Sequence, residues 1–195
     1  TINEAHPDGF EDYQGKALVN SITGEEERMD LILPLIKKHG AAVIALPNDA
    51  TGIPYTCAER IVITEKIIKK VESYGIPLDD LLIDPLAMPV GADPESIKIT
   101  LETIHVIREK WGLNMTLGAS NVSFGMPYRH ALNAAFLSAA MSHGLTSAVM
   151  DARNPVIVEA VRATDVLLGL DQWGANWISR FREIEAAKQL ANTGV

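Results

Sequence analysis

The chain has 195 residues, of which 47% are hydrophobic and 22% charged, with a formal net charge of -8. That apolar fraction excludes a disordered chain and suits one globular unit able to bury a core. The acidic balance argues against general binding to nucleic acid or to an anionic membrane, both of which need a basic footprint.

Further limits come from single residues. Cys57 is the sole cysteine, which excludes an internal disulfide framework and a CxxC metal knuckle. No apolar stretch approaches the roughly 20 residues of a membrane span, and no signal-type run opens the chain. The cytoplasm is the expected compartment. The start at Thr1, without an initiator Met, leads us to expect a chain trimmed from something longer.

In chain order, the first 14 residues are polar and acidic without periodicity, and read as a tail or the remnant of a preceding helix. Short apolar strands are then expected at residues 17–22 (ALVNSI), 42–46 (AVIAL), 81–86 (LLIDPL), 115–120 (MTLGAS) and 147–151 (SAVMD). Each is bounded by turn or polar residues, as in strands buried on both faces of a parallel sheet. Helices are expected between them. Thr23 and Glu26 resemble a capping box for a helix over residues 25–39. Residues 56–74 carry an isoleucine and valine stripe closed by Gly75. Asp93, Pro94 and Glu95 read as the start of a helix ending near Gly112. Residues 127–143 and 155–168 form two more. A terminal helix over residues 172–191 carries Trp173, Trp177 and Phe181 at a spacing that predicts one apolar face.

Repeated strand–helix units indicate α/β architecture. Strand starts lie about 25 to 40 residues apart, enough for a βα unit each time. An eight-stranded barrel needs typically about 250 residues, and an open doubly wound sheet needs only five strands, so spacing alone leaves both open. In either fold the chemistry sits at the C-terminal ends of the strands. There the sequence places Asn20-Ser21, Pro47-Asn48-Asp49, Asp84-Pro85, the run from Gly118 to Ser123, and Asp151 to Asn154. No nucleophile is paired with a base, and phosphate-loop, dinucleotide and zinc-helix motifs are missing. Asn, Asp and backbone amides suit a flat polar heterocycle, since carboxylates accept paired N–H donors and carboxamides do both.

Three segments carry a resemblance. GKALVNSITGE (residues 15–25), LLIDPLAMPVG (81–91) and LGASNVSFGMP (117–127), the last followed by RHALNAAFLSAAMSHGL (129–145), resemble motifs of the pterin-binding family of TIM barrels. Within it they are most similar to methyltetrahydrofolate:corrinoid methyltransferases and the folate domain of cobalamin-dependent methionine synthase. The resemblance implies a (β/α)8 barrel type in which the five expected strands match the fourth to eighth, the first three βα units being absent. Residues 15–195 would then be a pterin-binding domain made of a partial barrel plus a C-terminal helix.

It also implies a site. Asn20, Asp84 and Asn121 match positions that hydrogen-bond the pterin, Asp84 at the ring's 2-amino and N3 edge and Asn121 at N5. Gly118 matches a point of close backbone approach, and Ser123 and Arg129 complete the expected ligand-binding set. Asn121 is the expected catalytic residue. The implied substrate is tetrahydrofolate or its N5-methyl form, and the methyl moves to or from cobalt in a corrinoid. No DxHxxG corrinoid-binding motif is found, so the corrinoid is expected on a partner protein, and no metal ligand is required of this chain. Unpaired sheet edges predict either a longer native chain or a sheet completed by a second copy in a homodimer. Two other readings are a dihydropteroate synthase-like enzyme and a non-catalytic pterin-binding fragment. Residues 149–153 (VMDAR) lack the S-x-R-x-H pattern of the former.

Overall fold

A computed structural model describes residues 13–192 of the chain. Four parallel strands are hydrogen-bonded in sequence order, β1 (Leu18–Thr23), β2 (Ala42–Leu46), β3 (Leu81–Ile83) and β4 (Asn114–Met115). Six α-helices accompany them, α1 (Glu26–His39), α2 (Cys57–Ser73), α3 (Ser96–Trp111), α4 (Arg129–Ser142), α5 (Pro155–Leu167) and α6 (Ala175–Asn192). This is the α/β architecture of a partial barrel, with each strand feeding a helix that returns the chain to the same starting edge. Among the described residues, no helix is long and apolar enough to cross a membrane.

The period of two along each strand sorts its residues by face. Val19, Val43, Ala45, Leu81, Ile83 and Met115 join one core cluster with Met29, Leu33 and Ile36 of α1, Ile67 and Val71 of α2, and Ile104 and Ile107 of α3. The alternate residues Asn20, Ile44, Leu82 and Asp84 point to the opposite face. The expectation of strands buried on both sides holds for Ile44, at 4% exposure, but not for β1, where Leu18 is 51% exposed and Asn20 is exposed. Among the described residues β1 is an edge strand, paired with β2 alone.

The expected fifth strand is the main correction. Residues 147–149 run parallel to the chain after β4, with Ser147 N–H donating to Met115 O at 3.0 Å, Val149 N–H to Leu117 O at 2.8 Å and Ala119 N–H to Val149 O at 3.0 Å. Only one bridge forms, Gly118 with Val149. Side-chain hydroxyls compete for the ladder at its start. Thr146 Oγ1 takes the Met115 N–H at 2.8 Å, and Thr146 and Ser147 hydroxyls both donate to Met115 O at 2.9 Å.

Helix starts differ in instructive ways. The capping box expected at Thr23 and Glu26 does not form, because β1 runs through Thr23 and α1 is capped by Glu25 without a side-chain bond. A capping box forms instead at α2, where Thr56 and Glu59 exchange bonds of 3.2 and 3.1 Å. Asp93 accepts the Glu95 N–H at 2.9 Å, but α3 begins only at Ser96. The terminal aromatics do not line a buried face. Asp171 caps α6 through Asn176 N–H at 3.1 Å and Trp177 N–H at 2.9 Å. Trp173 is therefore left outside the helix, in a turn at φ 60° and 96% exposed, with Phe181 61% exposed. The tail expected over residues 1–14 lies outside the described residues up to position 12.

Candidate functional site

The parallel order brings the C-terminal ends of all four strands to one edge, and the side chains there divide by how they are satisfied. Asp49 Oδ1 accepts from Thr51 N–H at 2.9 Å and Thr51 hydroxyl at 2.7 Å, which holds its carboxyl below the usual range. Asp151 Oδ1 accepts Arg153 N–H and Nε–H, both at 3.1 Å, with the same effect. Both carboxylates are spent on their own loops.

Asp84 differs. It follows β3, where its N–H donates to Ala45 O at 2.9 Å. Burial pushes its carboxyl above the ordinary aspartate value, opposed by the Leu86 N–H and by the charge of Arg60. Oδ1 takes that N–H at 2.9 Å, and Oδ2 has no partner among the described residues. A desolvated carboxylate with an open oxygen is poised to accept donors from a ligand.

Asn20 lies on the same sheet face, in register with Ile44, just before a bulge at Ser21. It is exposed and makes no side-chain hydrogen bond among the described residues. Asn48 follows β2. Its side-chain oxygen is buried without a partner among the described residues, while its main-chain oxygen accepts Gly24 N–H at 2.7 Å. That contact needs glycine at 24, since a Cβ there would sit 2.5 Å from Ile63 Cγ2.

The loop after β4 forms a 3-10 turn, Ala119–Ser123, with Asn121 at its exposed crest. Asn121 N–H donates to Gly118 O at 3.1 Å, and its carbonyl accepts Phe124 N–H at 3.2 Å. Its side-chain amide lies over Gly118, where a Cβ would stand 3.1 Å from Nδ2. The bare α-carbon of Gly118 thus makes room for Asn121, a nearer reason for glycine than ligand approach. Ser123 is fully buried. Its hydroxyl donates to Ser120 O at 3.3 Å and accepts Arg129 Nε–H at 3.1 Å. Arg129 Nη2 also donates to Ser120 O at 2.8 Å. Ser123 and Arg129 therefore bind the loop to the start of α4 and fix the crest that carries Asn121. A cavity of about 330 Å³ opens beside it, lined by Ser120, Arg129, His130, Asn133 and Asp151.

Two residues escaped the sequence reading. Asn133 is buried at 5% exposure with its side-chain oxygen unpartnered among the described residues. Arg60 is 2% exposed and grips the chain that follows Asp84. Both sit on helices, where no turn chemistry marks them. Cys57 is buried, and burial pushes its thiol up, which makes it a poor nucleophile.

Comparison with known proteins adds the family context. A family model described as pterin binding enzyme matches residues 6–151. A methylcorrinoid:tetrahydrofolate methyltransferase of Eubacterium limosum is 32% identical over 169 residues, covering 85% of this chain and 62% of the relative. Methionine synthases of Mycobacterium leprae and Mycobacterium tuberculosis are each 34% identical over 157 residues, covering 74% of this chain and 13% of theirs. The chain thus spans less than two thirds of the length of these relatives.

Proposed function

The chain belongs to the pterin-binding enzyme family, and from that premise we propose that it binds tetrahydrofolate or N5-methyltetrahydrofolate in a methyl exchange with the cobalt of a corrinoid on a partner protein. The observation that carries this reading is Asp84, a half-buried carboxylate with one oxygen unpartnered among the described residues, at the strand-end edge it shares with Asn20 and Asn121. A pterin's amino-pyrimidinone edge presents two parallel N–H donors, which a carboxylate accepts together. Asn20 offers a second polar group on the same face, and Gly118, Ser123 and Arg129 hold Asn121 at the crest.

In the chemistry we propose, the methyl carbon breaks its bond to N5 and forms one to cobalt(I). N5 keeps the bonding pair and gains a proton. An amide anion is a poor leaving group, so hydrogen bonding at N5 must grow as the bond breaks. The Asn121 amide can donate there without being an acid, and the proton comes from water. The reverse transfer uses the same contacts. Similarity to the methylcorrinoid:tetrahydrofolate methyltransferase of Eubacterium limosum supports corrinoid and folate as the pair. The VMDAR run at residues 149–153 does not favour dihydropteroate synthase chemistry.

Titration with methyltetrahydrofolate, followed by calorimetry, is expected to show one site per chain with micromolar affinity, about 8 kcal/mol of binding free energy. Absence of heat and of any change in tryptophan fluorescence at millimolar ligand would sink the reading. We also propose that the chain self-associates through the open side of β1, where Leu18 is 51% exposed and an unpaired edge can be covered. Sedimentation equilibrium should then give twice the mass of 21.2 kDa, and a monomer at all concentrations would refute it.

A further inference from the structure

Arg60 lies in the first turns of α2 and is among the largest fully buried side chains, at 2% exposure. Its guanidinium reaches across to the loop after β3. Nη1 donates to Pro85 O at 2.7 Å and to Leu86 O at 3.0 Å, and Nε donates to Pro54 O at 3.3 Å. Thr100 of α3 adds a hydroxyl donated to Leu86 O at 2.9 Å. Two helices therefore converge on one carbonyl.

The residue they hold is strained. Leu86 has φ 62°, in the left-handed region, a conformation that is unfavourable for a non-glycine residue and persists only where its surroundings over-determine it. The strain has a local result. Leu86 offers its oxygen to Arg60 and Thr100 and its N–H to Asp84 Oδ1 at 2.9 Å. One peptide unit apart, the two contacts set where the Asp84 carboxylate points.

Arg60 makes no ion pair within 4.0 Å among the described residues. Burying a cation without a close carboxylate is unfavourable, and an apolar side chain would serve packing at less cost. The charged group facing Asp84 is Arg60, and the Cys57 thiol lies near Arg60 on its own helix.

We propose that Arg60 is a positioning residue that fixes the aim of the Asp84 carboxylate toward the paired N–H edge of the ligand, by locking Pro85 and Leu86 in place. The ligand half of this statement rests on the pterin reading above. Burial raises the Asp84 carboxyl and the charge of Arg60 lowers it, so loss of that charge moves the titration of Asp84 further up.

The test compares wild type, Arg60→Met and Arg60→Lys. Carbon-13 NMR of the unliganded chain follows the Asp84 carboxyl, assigned with Asp84→Asn, and calorimetry follows methyltetrahydrofolate. Arg60→Met is expected to titrate Asp84 at higher pH and to bind at least about tenfold more weakly, the loss of one charge-assisted bond. Arg60→Lys keeps the charge but cannot reach three carbonyls. It should titrate near wild type and still bind about tenfold more weakly. A folded Arg60→Met with unchanged affinity overturns the proposal whatever its titration, because loss of the charge alone moves Asp84. Should Arg60→Met fail to fold, Arg60→Lys binding as wild type does overturns it. If wild type itself binds no pterin, the pterin reading fails, and the titration alone decides whether Arg60 governs Asp84.

Discussion

Asp84→Asn is expected to lower affinity for methyltetrahydrofolate by about a hundredfold or more and, at neutral pH, to make the fold more stable. The loss follows from donor–acceptor matching. A carboxylate accepts both N–H groups of the pterin edge, whereas a carboxamide accepts one and sets its own NH₂ against the other. Losing one charge-assisted bond and creating one clash is worth about 3 kcal/mol.

The gain in stability follows from linkage. Burial holds the Asp84 carboxyl above its ordinary value. An aspartate raised in this way stabilises the native state only while protonated, below its unfolded value of about 3.9. That contribution is lost as pH rises through the folded value, so at neutral pH the ionised group is a burden. Asparagine keeps the oxygen that accepts the Leu86 N–H, at 2.9 Å in wild type, and removes the charge. A gain of roughly 2–4 °C in Tm, the equivalent of about 1 kcal/mol in a chain of this size, is expected at pH 7. It should fade toward about pH 3, where the wild-type carboxyl is largely protonated on both sides of the transition. Thermal melts of both proteins across this range decide the matter. A variant less stable at pH 7 would mean that the carboxylate is satisfied in place.

The strand-end placement of the candidate residues was legible in sequence, for a physical reason. Residues at strand ends are announced by the turns that follow, and Asp84-Pro85, Gly118 and Asn121 stand in such turns. The strand period then puts Asn20 and Asp84 on one face. Arg60 was not legible, because helical spacing places it on the same stripe as Cys57, Ile63 and Ile67 while the charge of an arginine argues for a solvent-facing position. Its burial depends on carbonyls at Pro54, Pro85 and Leu86 that converge only after α2 and α3 have packed. The fifth strand failed for a related cause. Its apolar run is strand-like, but the hydroxyls of Thr146 and Ser147 capture the backbone of Met115 first. The spacing of Trp173, Trp177 and Phe181 misled because Asp171 starts α6 beyond Trp173.

Asn121→Ala is expected to slow methyl transfer by about 10²–10³-fold, the effect of removing one preorganised donor from a developing charge. Binding of methyltetrahydrofolate should change by only a few-fold. The asymmetry comes from where the residue sits. Its main chain is fixed by Gly118 O at 3.1 Å and Phe124 N–H at 3.2 Å, contacts that alanine keeps. Its side chain is exposed and has no hydrogen-bond partner among the described residues, so removing it unpairs no group in the protein. With Arg129 and Ser123 anchoring the loop beneath, the crest holds its shape and only the amide is lost. In the ground state the N5 lone pair is weakly basic and the amide contributes little. As the methyl leaves, electron density gathers on N5 and the same N–H strengthens its bond, which makes the interaction specific to the transition state. Single-turnover conversion of a cobalt(I) corrinoid to its methyl form, read by absorbance, gives the rate, and calorimetry gives the affinity. Equal losses in rate and affinity would assign Asn121 to ligand binding alone.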